Sequence, residues 1–504
     1  MVDAGRVPRG DRATGARACR HVLQILVPGC ALAVGAVLPL DAPAQGGNWR
    51  VYPRVSFTET WSDNVALDAG GAKQDDWITE LTPGVGITGT GRRLKVFFDY
   101  QGQGLHYANG SDASAINHQL QSNATAELLS DSLFLDVNAV AGQRNASTAG
   151  RQARDNLTVS GNREAFFTYG VSPYYRQRFG PYADAEFRLR LDEVNSAGGD
   201  DTSLQSLSAR IDSGREFAVL PWSFTASNQR SEPSDGDSTT YRRLDLSVRR
   251  NFTRRYGLRL SVGHEDNDLG SGAAAGNTAS GSGVTWRATG IWTPTERTSF
   301  ELGYGKRVFG NSVSFSASHR MRRAVFTARY SEEVTTGNIN QSRLQLFAVE
   351  DAFGNPIENP GASADRTLAQ DRLDATNDTT IQRRFNFGLA LQGRRSSGNV
   401  SIYHDRREGQ SGQGDEQVIG MSAGASRQLS RVTSASVSTS WQISDAGVGA
   451  GADDDQTISL DLRLNHSFAS DLSGSLGYSH YRETSTSSGD FTENRVTASL
   501  RMLF

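Results

Sequence analysis

TENRVTASLRMLF, residues 492–504, is the stretch from which the rest of the chain is read. Val496, Ala498, Leu500, Met502 and Phe504 share one parity, and Arg495, Thr497, Ser499 and Arg501 share the other. Successive side chains of a strand point to opposite faces, so the segment predicts a β-strand with one greasy face, one polar face and an aromatic end. Leu503 breaks the alternation. An amphipathic edge strand of a soluble sandwich and a strand in a membrane wall would both read this way, so the remaining sequence has to separate them.

The pattern recurs along most of the chain. Trp49, Val51, Val55, Phe57 and Trp61 alternate with Arg50, Arg54, Ser56 and Thr58; Ala183 to Leu191 alternates with Asp184, Glu186, Arg188 and Arg190; Ile458 to Leu464 alternates with Ser459, Asp461 and Arg463. About 22 such segments are legible, within a range of 18–24, near the length a tilted strand needs to cross a bilayer. Their connections alternate in length. Short ones fall near 89–92, 178–181, 253–255, 293–296, 320–323, 393–398 and 469–471. Long polar ones fall at 62–76, 108–115, 144–162, 230–240, 267–281, 333–379, 407–416, 444–455 and 484–491, and the tight Gly310-Asn311 connection is the main exception. A soluble sandwich has no reason to keep that rhythm. It predicts an all-β, antiparallel up-and-down outer-membrane barrel with short periplasmic turns and long extracellular loops. The closing stretch then resembles the terminal strand that the barrel-assembly machinery recognises, with Leu500, Met502 and Phe504 as the assembly signal.

Residues 1–44 read as a cleaved export signal: Arg6, Arg9, Arg12, Arg17 and Arg20 precede an apolar run from Val22 to Leu40, followed by Ala42-Pro43-Ala44. A transmembrane anchor is the competing reading. Residues 45–504 then form one barrel domain, and both cysteines, Cys19 and Cys30, lie in the leader. Disulfide, thiol and cysteine-metal chemistry are therefore excluded from that domain. Its net charge is about −5, from 47 basic and 52 acidic residues once the leader's five Arg and three Asp are removed. A mean hydropathy of −0.48 and the lack of a second apolar run of spanning length exclude a helical membrane bundle. No nucleic-acid partner and no cofactor is expected. Four residues, Gln45–Asn48, precede the first alternating segment, so no N-terminal plug and no TonB-dependent receptor is expected. The lumen is then either open or filled by long loops, of which 333–379, with alternating Leu344, Leu346 and Ala348, is the best filler.

A charge exposed to hydrocarbon costs roughly 2–4 kcal/mol at the midplane, so the apolar parity must face outer-membrane lipid and the polar parity the lumen. The candidate lumen-lining residues are Arg188, Arg190, Arg243, Asp245, Arg249, Asp461 and Arg463. Their guanidiniums admit two readings: recognition of anionic sugars, or pairing with acids across strands. Short turns collect Arg92, Arg93, Arg254, Arg255, Arg322, Arg323, Arg394, Arg395 and Arg431, whereas long loops collect acids such as Asp75 and Asp76, either solvated or binding divalent cations. Trp61, Trp77, Tyr107, Tyr182, Tyr241, Tyr256, Trp292, Trp441 and Phe468 suggest girdles at the two interfaces.

Catalytic constellations are sparse. His404-Asp405 and His264-Glu265-Asp266 are the two places where a histidine and an acid could meet at a rim, and solvated strand ends are the plainer reading. Asp453-Asp454-Asp455 lacks the spacing of a calcium loop, and Gly89-Thr90-Gly91 reads as a turn.

The segments VSFTETWSDNVAL (55–67), ITELTPGVGITGTGRRLKVFFDYQGQGLHYANG (78–110), NHQLQSNATAELLSDSLFLDVNAVAGQ (117–143) and VSPYYRQRFGPYADAEFRLRL (171–191) resemble the outer-membrane proteins associated with the PEP-CTERM and exosortase system. The likeness is most specific over 51–191, where Thr82-Pro83-Gly84 and Ser172-Pro173-Tyr174-Tyr175 read as strand and turn signatures. It implies an outer-membrane barrel and a genomic neighbourhood of exopolysaccharide synthesis, and it supplies no catalytic residues. The expected function is a porin-like channel linked to exopolysaccharide export, with export components of the periplasm as partners. A non-conducting surface scaffold or adhesion barrel that organises polysaccharide or partner proteins is the alternative, and an outer-membrane hydrolase ranks third.

Overall fold

The computed structural model describes residues 48–504 apart from 71–72, 113, 147–150, 199–200, 235–236, 269–280, 337–378, 410–414, 448–452 and 487–488. The proposed leader and most of 333–379 lie outside the described residues. The strands are β1 (Asn48–Ser62), β2 (Asp76–Thr90), β3 (Leu94–Tyr107), β4 (Ala115–Leu129), β5 (Leu133–Asn145), β6 (Arg163–Phe179), β7 (Ala183–Ser196) and β8 (Thr202–Ser213). They continue as β9 (Trp222–Pro233), β10 (Thr239–Asn251), β11 (Tyr256–Asp268), β12 (Gly281–Thr295), β13 (Thr298–Arg307), β14 (Gly310–Arg320) and β15 (Ala324–Thr335). The last are β16 (Thr380–Gln392), β17 (Ser396–Gly409), β18 (Asp415–Gln428), β19 (Thr433–Gly447), β20 (Asp453–Ser467), β21 (Leu472–Ser485) and β22 (Phe491–Leu503).

Each strand pairs antiparallel with the next, and β22 returns to β1 in a register running from Arg54 opposite Leu503 to Ser62 opposite Arg495. The Phe504 N–H adds a bond of 3.0 Å to the Pro53 carbonyl at the seam. The chain is thus a closed 22-stranded outer-membrane-type β-barrel. Closure leaves no strand edge unpaired, which is the condition for a sheet to stand in lipid.

The parity of the sequence is written on the wall. Val496, Leu500, Met502 and Phe504 are exposed on the outside, whereas Glu493 and Arg495, on the opposite parity, are buried inside. Phe187, Leu189 and Leu191 of β7 are exposed outward and Asp192 is buried inward. Aromatics stack on both faces of the wall, Trp292 on Phe300 at 5.1 Å outside and Phe134 on Tyr174 at 5.0 Å inside, where Arg188 lies over the Tyr174 ring at 3.9 Å. Tyr107 and Tyr241, expected in the girdles, instead lie inside. Tyr107 is 4% exposed against Val65, Ile78, Leu105 and Leu157, and the Tyr241 hydroxyl lies 2.8 Å from that of Thr379. Near the extracellular strand ends the inner face packs against other protein segments, so aromatics there serve an interior cluster.

Connections such as 91–93, 296–297 and 321–323 cap one end, and their paired arginines Arg92, Arg93, Arg322 and Arg323 are exposed. The other end carries 63–75, 146–162 and 336–379, with the two-residue 308–309 as its short exception. Glu333 to Thr335, expected in the long loop, belong to β15. The turn-side connection 214–221 was not expected. It holds a 3-10 turn at Arg215–Phe217 and exposes Phe217, Val219 and Leu220, so its apolar residues imitate the strands around them. Of the strand and turn signatures, Thr82-Pro83-Gly84 and Ser172-Pro173-Tyr174-Tyr175 both sit inside strands. The ladder from β2 to β3 skips Thr82 and Pro83, and that from β6 to β7 skips Ser172 and Pro173, because proline brings no N–H to donate.

Candidate pore site

The segment between β5 and β6 does not stand outside the barrel. Its described residues, 146 and 151–162, enter the mouth and reach the far wall. Arg154 places one guanidinium nitrogen 2.8 Å from both carboxylate oxygens of Asp461, halfway along β20, and lies over the Tyr481 ring at 5.3 Å. Since β20 and β5 are separated around the wall by β21, β22 and β1 to β4, that contact can only be made through the interior. Next along, Asp155 accepts from Arg495 of β22 at 2.5 Å, and Arg495 also donates to Thr158 at 2.7 Å and to Glu493 at 2.6 Å. Glu493 in turn accepts from Ser62 at 2.6 Å, so the latch straddles the β22–β1 seam.

Apolar and amide contacts seat the same segment. Leu157 packs with Val65, Ile78, Leu105 and Tyr107, the Tyr107 hydroxyl donates to the Leu157 carbonyl at 3.0 Å, and the Asn156 amide donates to Gln103 at 2.7 Å. Its companion is the segment 63–75: Val159 N–H donates to Val65 O at 2.9 Å, and Arg151 donates to Asp68 at 2.8 Å. Leu67 packs on Tyr481 and Phe491. Burial opposes charge on Asp155, but the Arg495 guanidinium, the Leu157 N–H and Arg154 together hold its carboxyl below the usual carboxylate range. The described residues of 146–162 and 63–75 therefore form a constriction fixed to β20–β22 and β1–β3. The filler expected at 333–379 lies largely outside the described residues. Two apolar pairs in otherwise polar loops, Val65 with Leu67 and Leu157 with Val159, were the available signal for this one.

The predicted lumen residues are distributed around the wall. Arg188 donates to Asp136 at 2.7 Å and to Glu186 at 3.1 Å, and Arg190 donates to Asp192 at 2.5 Å. Arg243 stands 3.6 Å from Asp245 and 3.4 Å from Glu265. Arg249, near the turn end of β10, donates to Asn251 at 3.0 Å. Asp461 holds Arg154, as above, and Arg463 shares its parity on β20. The wall thus pairs most of these charges with neighbours. Several pairs span an intervening strand, and the most buried is that of Arg54 of β1, which reaches over Gly84 of β2 and donates to both oxygens of Asp99 on β3, at 2.7 and 2.8 Å. A Cβ on Gly84 would lie 3.1 Å from Arg54 Nε and 2.9 Å from the Tyr100 carbonyl oxygen, so glycine keeps that lane open.

Arg287 of β12, which was not singled out beforehand, stands apart. Among the described residues it makes no hydrogen bond or ion pair, while Arg307 of β13 donates to Glu265 at 2.9 and 3.2 Å. Its inward direction follows from Val284, Trp286 and Ala288 sharing the other parity.

The two histidine–acid pairs are not assembled. His264 contacts the Ser282 hydroxyl at 2.9 Å, whereas Glu265 faces inward onto Arg307. Asp405 accepts from Arg384 at 2.9 Å, and neighbouring residues of a strand face apart, so His404 points away from it. The loop acid Asp76 is structural: it accepts from Asn109 N at 2.8 Å and Ser111 Oγ at 2.6 Å, tying 63–75 to the next loop. Among the described residues no group of three or more histidine, aspartate or glutamate side chains could hold a metal ion.

Neither a protein-family model nor a curated protein matches the sequence. Solved structures do. A variant of the ferric enterobactin receptor from Pseudomonas aeruginosa aligns over 90% of this chain and 80% of its own, with a TM-score of 0.50 at 9% identity. The siderophore receptor PirA from Pseudomonas aeruginosa aligns over the same shares with a TM-score of 0.46 at 8% identity. The ferric-catecholate import receptor Fiu from E. coli K12 covers 90% and 82%, with a TM-score of 0.45 at 11% identity. At such identities the first of these likenesses speaks for the barrel fold alone.

Proposed function

We propose that the chain is a porin-like outer-membrane channel that serves the export of an exopolysaccharide. The observation that carries the reading is the wide, charge-lined lumen of a 22-stranded wall, narrowed by an inward-folded segment tied to the wall through Arg154–Asp461 and Asp155–Arg495. Such a segment narrows the passage, and the charged remaining wall suits water and polar solutes inside. The link to exopolysaccharide and to the PEP-CTERM system rests on the sequence resemblance over 51–191. Under this reading the barrel-assembly machinery takes the chain by Leu500, Met502 and Phe504, and periplasmic export components meet the exposed arginines of the short turns.

Planar-bilayer recording tests the channel: folded protein is expected to give stepwise conductance, and silence from folded protein overturns the reading. A deletion strain tests export, which requires exported polymer to fall while the intracellular pool rises. A second reading, a non-conducting surface scaffold, is favoured by the same two segments across the mouth. It requires silent bilayers together with polymer that is exported normally but no longer retained at the cell surface.

A further inference from the structure

The inner wall of β9–β14 carries one arginine, Arg287, that makes no direct hydrogen bond or ion pair among the described residues beside two that do. Glu265, 2% exposed, holds Arg307 at 2.9 Å and shares Arg243, at 3.4 Å, with Asp245 at 3.6 Å. Arg287 stands beside them in the field of both like charges and has no hydrogen-bond acceptor among the described residues. Asp245 and Glu265 act on Arg287 at longer range and offset part of the repulsion from the two like charges, but neither holds its guanidinium directly.

Glycines let backbone and side chains approach closely at the same place. Arg287 lies opposite Gly305, and Gly263 and Gly303 share its inward parity. A Cβ on Gly303 would come within 2.5 Å of Ser314 Oγ and 3.2 Å of Arg287 Cδ, and one on Gly305 within 2.0 Å of the Trp286 carbonyl oxygen. Beside them lies a cavity of about 310 Å³ lined by Arg243, Arg287 and Arg307, by Ser227, Gln229 and Ser314, and by the carboxylates of Glu265, Glu332 and Glu333. That is the lower end of the size range of small-molecule sites.

We propose that this cavity binds a small hydroxylated oxyanion, a carboxylate or phosphate on a sugar-like body, with Arg287 as its anchor. The guanidinium fork of Arg287 matches the two oxygens of such a group, Arg307 and Arg243 add to the field, and the hydroxyl and amide side chains accept and donate to the body. Glu265 keeps two of the three guanidiniums oriented so that the third faces the solute. The site gives the substrate class of the channel read above and rests on that reading for its role, although binding can be measured without conduction.

The test is calorimetric titration of the detergent-solubilised barrel with glucuronate, glucose 6-phosphate and glucose, run beside bilayer recording, on the native chain, Arg287→Gln and Arg287→Lys. Folding of each variant is read from the shift in gel mobility on heating. One or both anions are expected to bind the native barrel while glucose does not, and the stronger anion identifies the group recognised. Loss of the charged fork is expected to weaken binding roughly 10- to 100-fold in Arg287→Gln, with Arg287→Lys between the two. No anion binding, equal binding of glucose, or unchanged affinity in folded Arg287→Gln would overturn the site. Anion binding with silent bilayers keeps the site and removes the channel; conductance without anion binding does the reverse.

Discussion

Arg495→Ala tests whether the constriction is held by the charge latch. Arg495 is 5% exposed and supplies three hydrogen bonds, to Asp155, Thr158 and Glu493, so its removal leaves two carboxylates facing each other across an emptied site. Breaking a buried ion pair by removing one partner costs about 3–5 kcal/mol. Asp155 retains 31% side-chain exposure and water of the lumen relieves part of the loss, so the lower end, about 3 kcal/mol, applies. The remaining ties, Arg154–Asp461, Arg151–Asp68 and Asn156–Gln103, are unchanged by the substitution. The population of undocked segment therefore rises on the order of 10²-fold. Limited trypsin cleavage after Arg151 and Arg154 reads that population when opening is fast relative to cleavage. The native protein should resist, and Arg495→Ala should be cut on the order of 10²-fold faster while the wall stays intact. A folded Arg495→Ala barrel cut at the native rate would refute the latch.

Two further outcomes follow from the same geometry. The folded-state pKa of Asp155 lies below its ordinary value, so the latch contributes its full stability above the ordinary carboxylate range and loses it only as pH falls through the depressed value. Trypsin-independent labelling of the segment, for example by hydrogen exchange, should stay protected down to about pH 4 and be lost below it, and loss already at pH 5–6 would contradict this assignment. Gly84→Val should close the lane used by Arg54 and break its pair with Asp99, both of them nearly fully buried, at a cost of about 3–5 kcal/mol read in denaturant unfolding of the refolded barrel. An unchanged midpoint in Gly84→Val would show that the pair adds nothing.

The wall was legible in the sequence because a strand period of two exposes its face assignment residue by residue. Leu244, Leu246 and Val248 place Arg243, Asp245 and Arg249 on the other face without any structure. Strand pairing with the next strand in order, and return of β22 to β1, followed from the rhythm of connections. What periodicity cannot carry is a partner far away in sequence. Asp461 was identifiable as inward-facing, but that its partner would be Arg154, 307 positions earlier, depends on a loop folding across the lumen. Pattern also failed where apolar residues have another use. Val219 and Leu220 in an exposed turn look like strand, and Tyr107 and Tyr241 look like girdle until the inward segments that cover them are known. The histidine–acid neighbours failed for the reason that made the wall readable: adjacent residues on a strand face apart. Arg287 was within reach of the same parity argument, and only the glycines beside it and the shared Glu265 distinguish it from the paired arginines.

The central claim is that alternate residues of one strand stand in lipid and in water. Residues 45–504 contain no cysteine, so single cysteines introduced along β20 at Ile458, Ser459, Leu460, Leu462, Arg463 and Leu464 report without background. In proteoliposomes a membrane-impermeant, water-soluble thiol reagent is predicted to modify Arg463→Cys readily and Ser459→Cys, 7% exposed beside the Ser440 hydroxyl, slowly, and to leave Ile458→Cys, Leu460→Cys, Leu462→Cys and Leu464→Cys unreacted. Uniform reactivity along the strand, or the opposite phase, would contradict the barrel described here.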